Sequence, residues 1–270
     1  MIPNILSIAG SDPSGGAGIQ ADIKAISANG GYAMAAVTGL TAQNTTGVRD
    51  VALVAPGMVA GQIAAIREDI RIDAVKIGML GSAAIVEAVA GALAGLEAPV
   101  VLDPVMVAKG GDRLLAADAV AAVRDRLLPM ATVLTPNLPE AADLLGGAEA
   151  GNRDAMAPQA AALRALGPSA VLLKGGHLSG ADCPDLLETA GDALWLEGRR
   201  HATRNTHGTG CTLSAALATG LGHGRSLAGA ARMAKAYVAA AIAAAGALGV
   251  GTGHGPVHHF HAMTTKETTA

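Results

Sequence analysis

The octet NTHGTGCT, residues 205–212, sets two glycines and a cysteine ahead of LSAALATGL, a segment with the composition of a helix. It has neither the lysine nor the spacing of a P-loop. Gly208, Thr209, Gly210 and Cys211 would present several unpaired backbone N–H groups at a helix N-terminus. There the macrodipole favours negative charge, and glycines let an oxygen approach closely. That is an anion hole. An ordinary glycine-rich entry to a buried helix is the reading if the octet stands alone. Its weight rises because Lys174, Lys235, Asp103 and Glu140 occur where an α/β sheet could gather them. Phosphoryl transfer needs that inventory: cations and magnesium to neutralise phosphates, carboxylates to hold the metal, and N–H groups for the transferring charge. A helix start also lowers a thiol pKa, so Cys211 is expected to carry an increased thiolate fraction.

A second glycine-rich stretch, SDPSGGAGIQA, competes for a phosphate, because Gly16, Gly18 and Ala21 have G-x-G-x-x-A spacing before a helix. A dinucleotide-dependent oxidoreductase would use such a turn. Against it, the motif begins several residues beyond the strand, and no acidic residue closes a second strand near the required offset. With 36 glycines in the chain, such a spacing also arises readily by chance.

Elements must position these residues, and the sequence alternates short aliphatic runs with longer segments of helical period. NILSIAG (4–10), MAAVTGLTAQN, AVKIGML, PVVLDPV, TVLTPN and AVLLKGG read as strands, with VRDVALVAP as a shorter one. Between them, Ile19, Ile23 and Ile26 form one helical stripe, and Val59, Ile63, Ile66 and Ile70 form the face of a helix that has Pro56 in its first turn. SAAIVEAVAGALAG is a helix that Ser82 would cap, and further helices are expected around 116–128, 138–146 and 153–166. This pattern predicts an α/β fold with a mostly parallel sheet flanked by helices on both faces, in a single domain over 1–270. Ligands gather at the carboxyl ends of such strands. Those ends carry Ser11 and Asp12, Gln43 and Asn44, Gly78 and Met79, Asp103, Asn137, and Lys174 with Gly175 and Gly176.

Composition narrows the function classes. Only four residues are aromatic (Tyr32, Trp195, Tyr237 and Phe260), which disfavours nucleic-acid recognition by stacking. A net charge of −3 supplies no basic footprint for nucleic acid or an acidic membrane. Two cysteines, Cys183 and Cys211, make no disulfide framework and fit a reducing compartment. The start MIPNILSIAGSD lacks a basic n-region, and AYVAAAIAAAGALGVG (236–251) reads as a packed helix rather than a membrane span, so a cytoplasmic location is expected. Four histidines close together in HGPVHHFHA (His254, His258, His259 and His261) suggest a metal site, but with no cysteine or carboxylate nearby they are read as a compositional feature. Lys235 is read as beginning the helix AKAYVAAAI, where it either reaches phosphate or stays a solvated surface lysine.

The stretches IAGSDPSGGAGIQADIK, TAQNTTGV, KIGML, VVLDPVM, LTPNLPEA, VLLKGGH, NTHGTGCTLSAA and GPVHHFHA run in order through nearly the whole chain. Together they resemble the bacterial hydroxymethylpyrimidine/phosphomethylpyrimidine kinases of thiamin biosynthesis, in the ribokinase-like superfamily. The resemblance implies a kinase dependent on ATP and magnesium that phosphorylates 4-amino-5-hydroxymethyl-2-methylpyrimidine and then its monophosphate. By that likeness Gly208 to Cys211 receive the γ-phosphate, and Lys174 contacts ATP phosphate with Thr206 on the same side. Asn137 and Glu140 work with magnesium and phosphate, and Asp103 is a second acidic contributor at the metal. Gly10, Asp22, Gln43, Met79 and Val105 surround the pyrimidine. Gln43 also has an independent argument: an aminopyrimidine edge offers a donor beside an acceptor, and one carboxamide matches both in a single plane. Cys211 stands where sugar kinases of the superfamily place an aspartate base. A homodimer paired through a lid near the second strand is expected from the fold, and pyridoxal/pyridoxine kinase activity is the close rival.

Overall fold

The computed structural model describes residues 1–106 and 117–263. Six strands run parallel: β1 (Asn4–Ser11), β2 (Tyr32–Asn44), β4 (Ala74–Ile77), β5 (Val100–Leu102), β6 (Val133–Leu134) and β7 (Ala170–Lys174). β3 (Gly47–Leu53) returns antiparallel along β2 at one edge. At the other edge β8 (Asp185–Glu188) and β9 (Ala193–Leu196) form an antiparallel hairpin. Among the described residues these make one nine-stranded sheet in the order β3-β2-β1-β4-β5-β6-β7-β8-β9.

Side chains alternate across the sheet, and both faces are covered, so the central strands read as continuous apolar runs. Leu6, Ile8, Val75, Ile77, Val171 and Leu173 point into one layer, with α2 (Pro56–Asp69), α3 (Ala83–Leu93), α4 (Ala117–Ala122), α5 (Leu138–Leu145) and α6 (Arg153–Arg164). Ile5, Ala74, Val101 and Leu172 point into the other, with α1 (Gly18–Ala28), α7 (Thr209–Gly222) and α8 (Leu227–Ala243). Lys76 shares the parity of Ala74 and therefore enters the second layer, where Asp22 of α1 meets it at 2.8 Å.

α7 is the central helix of that layer, and every residue from Thr212 to Gly220 is buried. Its small side chains let the neighbouring helices close in. A Cβ on Gly220 would stand 2.9 Å from the Ala230 Cβ of α8. The alanine bias is thus a packing requirement, while Leu213 and Leu217 each contribute about 1.5–3 kcal/mol by burial. The stretch Leu227–Ala247 is long and apolar enough to cross a membrane by length and composition. In the fold, however, Ala230, Ala231, Ala234 and Val238 bury against α7; of the helix expected over 236–251, only residues 236–243 belong to α8, with a 3-10 turn at Ala245–Ala247.

Most expected elements are present, including β3 and the Ser82 cap, whose Oγ accepts from Ile85 N at 3.3 Å. Three further expectations change. Ile23 is 40% exposed, because the inward face of α1 is Ile19, Asp22, Ala25 and Ile26, and Ile23 lies about 100° round from Asp22. The helix expected over 116–128 is α4 followed by a π turn at Val123–Leu127, and residue 116 lies outside the described residues. The β8–β9 hairpin was absent from the sequence reading.

Candidate active site

The parallel strands deliver their polar ends to one rim, as an open α/β sheet does. A cavity of about 770 Å³ opens there, a volume suited to small ligands.

α7 starts on this rim. Its N-cap, Gly208, has φ +76°, and among the described residues no side chain caps the helix. A Cβ at Gly208 would also lie 1.8 Å from the Gly16 carbonyl oxygen, so both the backbone angle and the crossing of two loops demand glycine. Thr212 Oγ1 donates to Gly208 O at 2.7 Å. Gly208, Thr209, Gly210 and Cys211 all line the cavity, and their N–H groups are the ones a helix start leaves without intrahelical partners.

A cation and a carboxylate stand at the same helix start. A Cβ on Gly210 would lie 3.3 Å from Lys174 Nζ and 3.4 Å from Asp103 Oδ2. Lys174, at the end of β7, donates to Asp103 Oδ1 at 3.0 Å and sits 3.9 Å from Glu140 Oε2. Thr135 Oγ1 at 3.3 Å and Ser214 Oγ at 3.2 Å hold the Asp103 oxygens. Burial alone would lower the Lys174 pKa, but Asp103 and Glu140 raise it above its usual value, so the ammonium stays charged. Burial pushes Glu140 up to about 7, with Lys174 opposing and Asp103 reinforcing the rise. Asn137 and Glu140 also form a capping box on α5, each accepting from the other's N–H at 2.8 Å. The N-x-x-E pattern therefore starts a helix as well as facing the cavity, which both residues line. Asp103 and Glu140 offer hard oxygen donors, of which magnesium takes one or two alongside waters and phosphate oxygens. That donor set fits the ion.

Cys211 departs from expectation. Burial drives its thiol up to about 11, Asp22 and Asp103 add to the rise, and Lys76 and the Gly18 N–H only partly oppose it. Burial thus opposes the lowering expected at a helix start.

Gly10, Gln43, Met79 and Val105, the residues expected around a pyrimidine, line the same cavity. Met79 Sδ is 3.1 Å from where a Gly10 Cβ would be, so glycine there leaves room for the methionine. The β2–β3 register shifts between Ala42 and Gln43, a bulge of the kind that re-aims a side chain. Thr41 Oγ1 holds Gln43 Oε1 at 3.2 Å. His207 Nε2 lies 2.8 Å from Asp12 Oδ2 and 3.4 Å from Gln43 Nε2. With its Nε2–H directed at Asp12, that nitrogen has no lone pair for Gln43, whose NH₂ has no other partner among the described residues. Asp12 also accepts from Ser14 N and Oγ, Gly16 N and Ala17 N, fixing the SDPSGGAG loop. Burial opposes ionisation of Asp12, but hydrogen bonds from His207 and Ser14 hold its pKa down at about 2.

Two expected placements are corrected. Asp22 does not line the cavity: it is fully buried, bonded by Ser7 Oγ at 2.6 Å and by Lys76 Nζ at 3.0 and 2.8 Å. A buried charge needs such a partner, which makes Asp22 a support beneath the site. Lys235 lies in the middle of α8 rather than at its start, and it binds Asp185 Oδ2 and Cys183 O, each at 2.7 Å. It still lines the cavity, as does Thr206. Sequence reasoning missed the roles of Lys76, Asp12 and His207. His207 lies inside the opening octet, but its partner is 195 residues away, beyond any local signal.

The chain is similar to known proteins in sequence and fold. The phosphomethylpyrimidine kinase family model matches residues 12–258. The chain is 52% identical over 260 residues to the hydroxymethylpyrimidine/phosphomethylpyrimidine kinase of Salmonella typhimurium, covering 96% of this chain and 98% of that one. It is 46% identical over 258 residues to the thiamine biosynthesis bifunctional protein ThiED of Geobacter sulfurreducens, covering 95% of this chain and 52% of that longer protein. Among solved structures, the Bacillus subtilis pyridoxal kinase in complex with ADP superposes with a TM-score of 0.90 at 36% identity, covering 98% of this chain and all 100% of that one. A ribokinase-like sheet, a family match across most of its length and a relative aligned almost end to end place the chain in the phosphomethylpyrimidine kinase family.

Proposed function

We infer that the chain is a hydroxymethylpyrimidine/phosphomethylpyrimidine kinase of thiamin biosynthesis, using ATP with magnesium. It transfers a phosphoryl group first to the hydroxymethyl group of the aminopyrimidine and then to the monophosphate. The observation that carries this reading is that the uncapped start of α7 stands within 3.4 Å of Lys174 and Asp103, measured from a Cβ on Gly210, while Gln43 lines the same cavity. Lys174 and the N–H groups of residues 208–211 receive the phosphate oxygens, with Thr206 beside them. Asp103 and Glu140 hold magnesium, which when bound neutralises phosphate charge. Lys235, engaged by Asp185, completes the nucleotide side. Gln43 grips the aminopyrimidine edge with its free NH₂ and its carbonyl, and Gly10, Met79 and Val105 form the walls. Cys211 acts as a neutral thiol that shapes the site, since a loose phosphoryl-transfer transition state asks little of a base.

The whole chain, 1–270, works as one kinase domain in the cytoplasm. Exposed Leu40, Val51 and Leu53 on the β2–β3 hairpin support a homodimer. The test is purified protein with ATP, magnesium and either the pyrimidine alcohol or pyridoxine, counting mono- and diphosphate products. Pyrimidine-dependent formation of both products supports the reading. Faster turnover of pyridoxine, or ATP use without pyrimidine dependence, overturns it.

A further inference from the structure

His259 has no task in the account above. It is 5% exposed, in the tail that follows α8, and its Nε2 lies 3.0 Å from Thr212 Oγ1. Thr212 Oγ1 in turn donates to Gly208 O at 2.7 Å. A hydroxyl carries one proton. With that proton on the shorter bond, to Gly208 O, the imidazole is assigned as the donor in the second, through Nε2–H. Burial, with Lys24 and His258 nearby, holds the His259 pKa down at about 4, so the ring is neutral and this bond selects its tautomer.

The backbone around the ring is held too. Tyr237 Oη donates to His259 O at 2.7 Å, and His258 N donates to Ala241 O at 3.0 Å, tying the segment to α8. Upstream, His254 N donates to Thr45 O at 2.8 Å and His207 N to Gly255 O at 3.0 Å. The tail therefore ties together the turn after Gln43, the glycine loop and the first turn of α7. Gly208 O accepts both the intrahelical bond from Thr212 N at 2.9 Å and the Thr212 hydroxyl at 2.7 Å, so the hydroxyl is a second hold on the same carbonyl.

We propose that His259 is a positioning residue for phosphoryl transfer: by donating to Thr212 Oγ1 it orients that hydroxyl onto the Gly208 carbonyl and keeps the N–H groups of residues 210 and 211 aimed into the cavity. The proposal rests on the reading of Gly208 to Cys211 as the anion hole.

The experiment measures kcat, KM for the pyrimidine alcohol and thermal melting for His259→Leu, His259→Gln, Thr212→Val and the His259→Leu/Thr212→Val double variant. Gly210→Ala tests the anion hole itself, since its new methyl would crowd Lys174 Nζ at 3.3 Å and stand 3.4 Å from Asp103 Oδ2. His259→Leu and Thr212→Val should each lower kcat about 10-fold or more with KM changed less than about 2-fold, because a misplacement near 1 Å can cost about 100-fold. His259→Gln, which keeps a terminal N–H donor, should recover most of the rate. The double variant should be no slower than the slower single one, because both break one chain of bonds. Wild-type kcat in His259→Leu, a loss that His259→Gln fails to recover, or losses that multiply in the double variant would each overturn the proposal. If His259→Leu does not fold, Thr212→Val and His259→Gln carry the same comparison. Full activity in Gly210→Ala would sink the anion-hole reading itself, whereas an impaired Gly210→Ala beside an unaffected His259→Leu removes only the role of His259.

Discussion

Replacing Gly208 by alanine tests whether two loops must cross at the start of α7. The glycine has φ +76°, where an L side chain costs about 1–2 kcal/mol. The added Cβ would also lie 1.8 Å from Gly16 O. Carbon and oxygen rest no closer than about 3.3 Å, so the loops must part by roughly 1.5 Å. Such overpacking adds about 1–3 kcal/mol, for a total loss of about 2–5 kcal/mol. In a chain of this size that lowers the melting midpoint by roughly 4–20 °C. The displaced groups are the amides proposed to receive the phosphoryl group, so kcat should fall about 100-fold or more. Differential scanning calorimetry and an ADP-release assay with saturating ATP, magnesium and pyrimidine alcohol read both effects. A Gly208→Ala protein that melts with the wild type and keeps kcat within about 2-fold would refute the reasoning.

Other perturbations separate the parts of the site. Gln43→Ala removes two hydrogen bonds worth about 1 kcal/mol each and should raise KM for the pyrimidine about 10-fold or more, with kcat less affected; an unchanged KM contradicts its role. Cys211→Ala should lower kcat through altered shape, yet its pH–rate profile should keep the wild-type form between about pH 6 and 9, because the native thiol titrates only near 11; a wild-type limb that vanishes in the variant would contradict this. Asp12 has a folded pKa of about 2 against an ordinary 3.8, so its contribution to stability is present above about pH 4 and lost as pH falls towards 2. Urea unfolding should therefore show wild type and Asp12→Asn converging between pH 6 and pH 3, and a constant gap would count against that linkage. Lys76→Met strands the buried Asp22 carboxylate and should cost about 3–5 kcal/mol in chemical denaturation, with Asp22→Leu added in the same chain recovering part of it; a loss below about 1 kcal/mol contradicts the pairing.

The parallel strands were legible in the sequence because burial on both faces makes them continuous apolar runs such as AVLLK, and the helices because Val59 and Ile63, or Ser82 ahead of its helix, follow local rules. The β8–β9 hairpin was not legible. Asp185 and Glu188 make β8 look polar, and Asp185 is buried because Lys235 of α8 meets it at 2.7 Å and Gly175 N donates to it at 3.0 Å. The same difficulty hid Asp22, whose helical position beside Ile19 and Ile26 points inward, towards a lysine 54 residues later. Glycine spacing exposed the start of α7 because the backbone requirement is local. The Cys211 environment is made by burial and by Lys76, Asp22 and Asp103 from three other elements, so the helix start alone does not set its pKa.

The most direct test of the account is a crystal structure of the protein with magnesium, a non-hydrolysable ATP analogue and the hydroxymethylpyrimidine. It should place the γ-phosphate within about 3 Å of the N–H groups of Gly210 and Cys211, with the Gln43 carboxamide on the aminopyrimidine edge. Phosphate bound elsewhere, with those amides turned from the ligand, would contradict it.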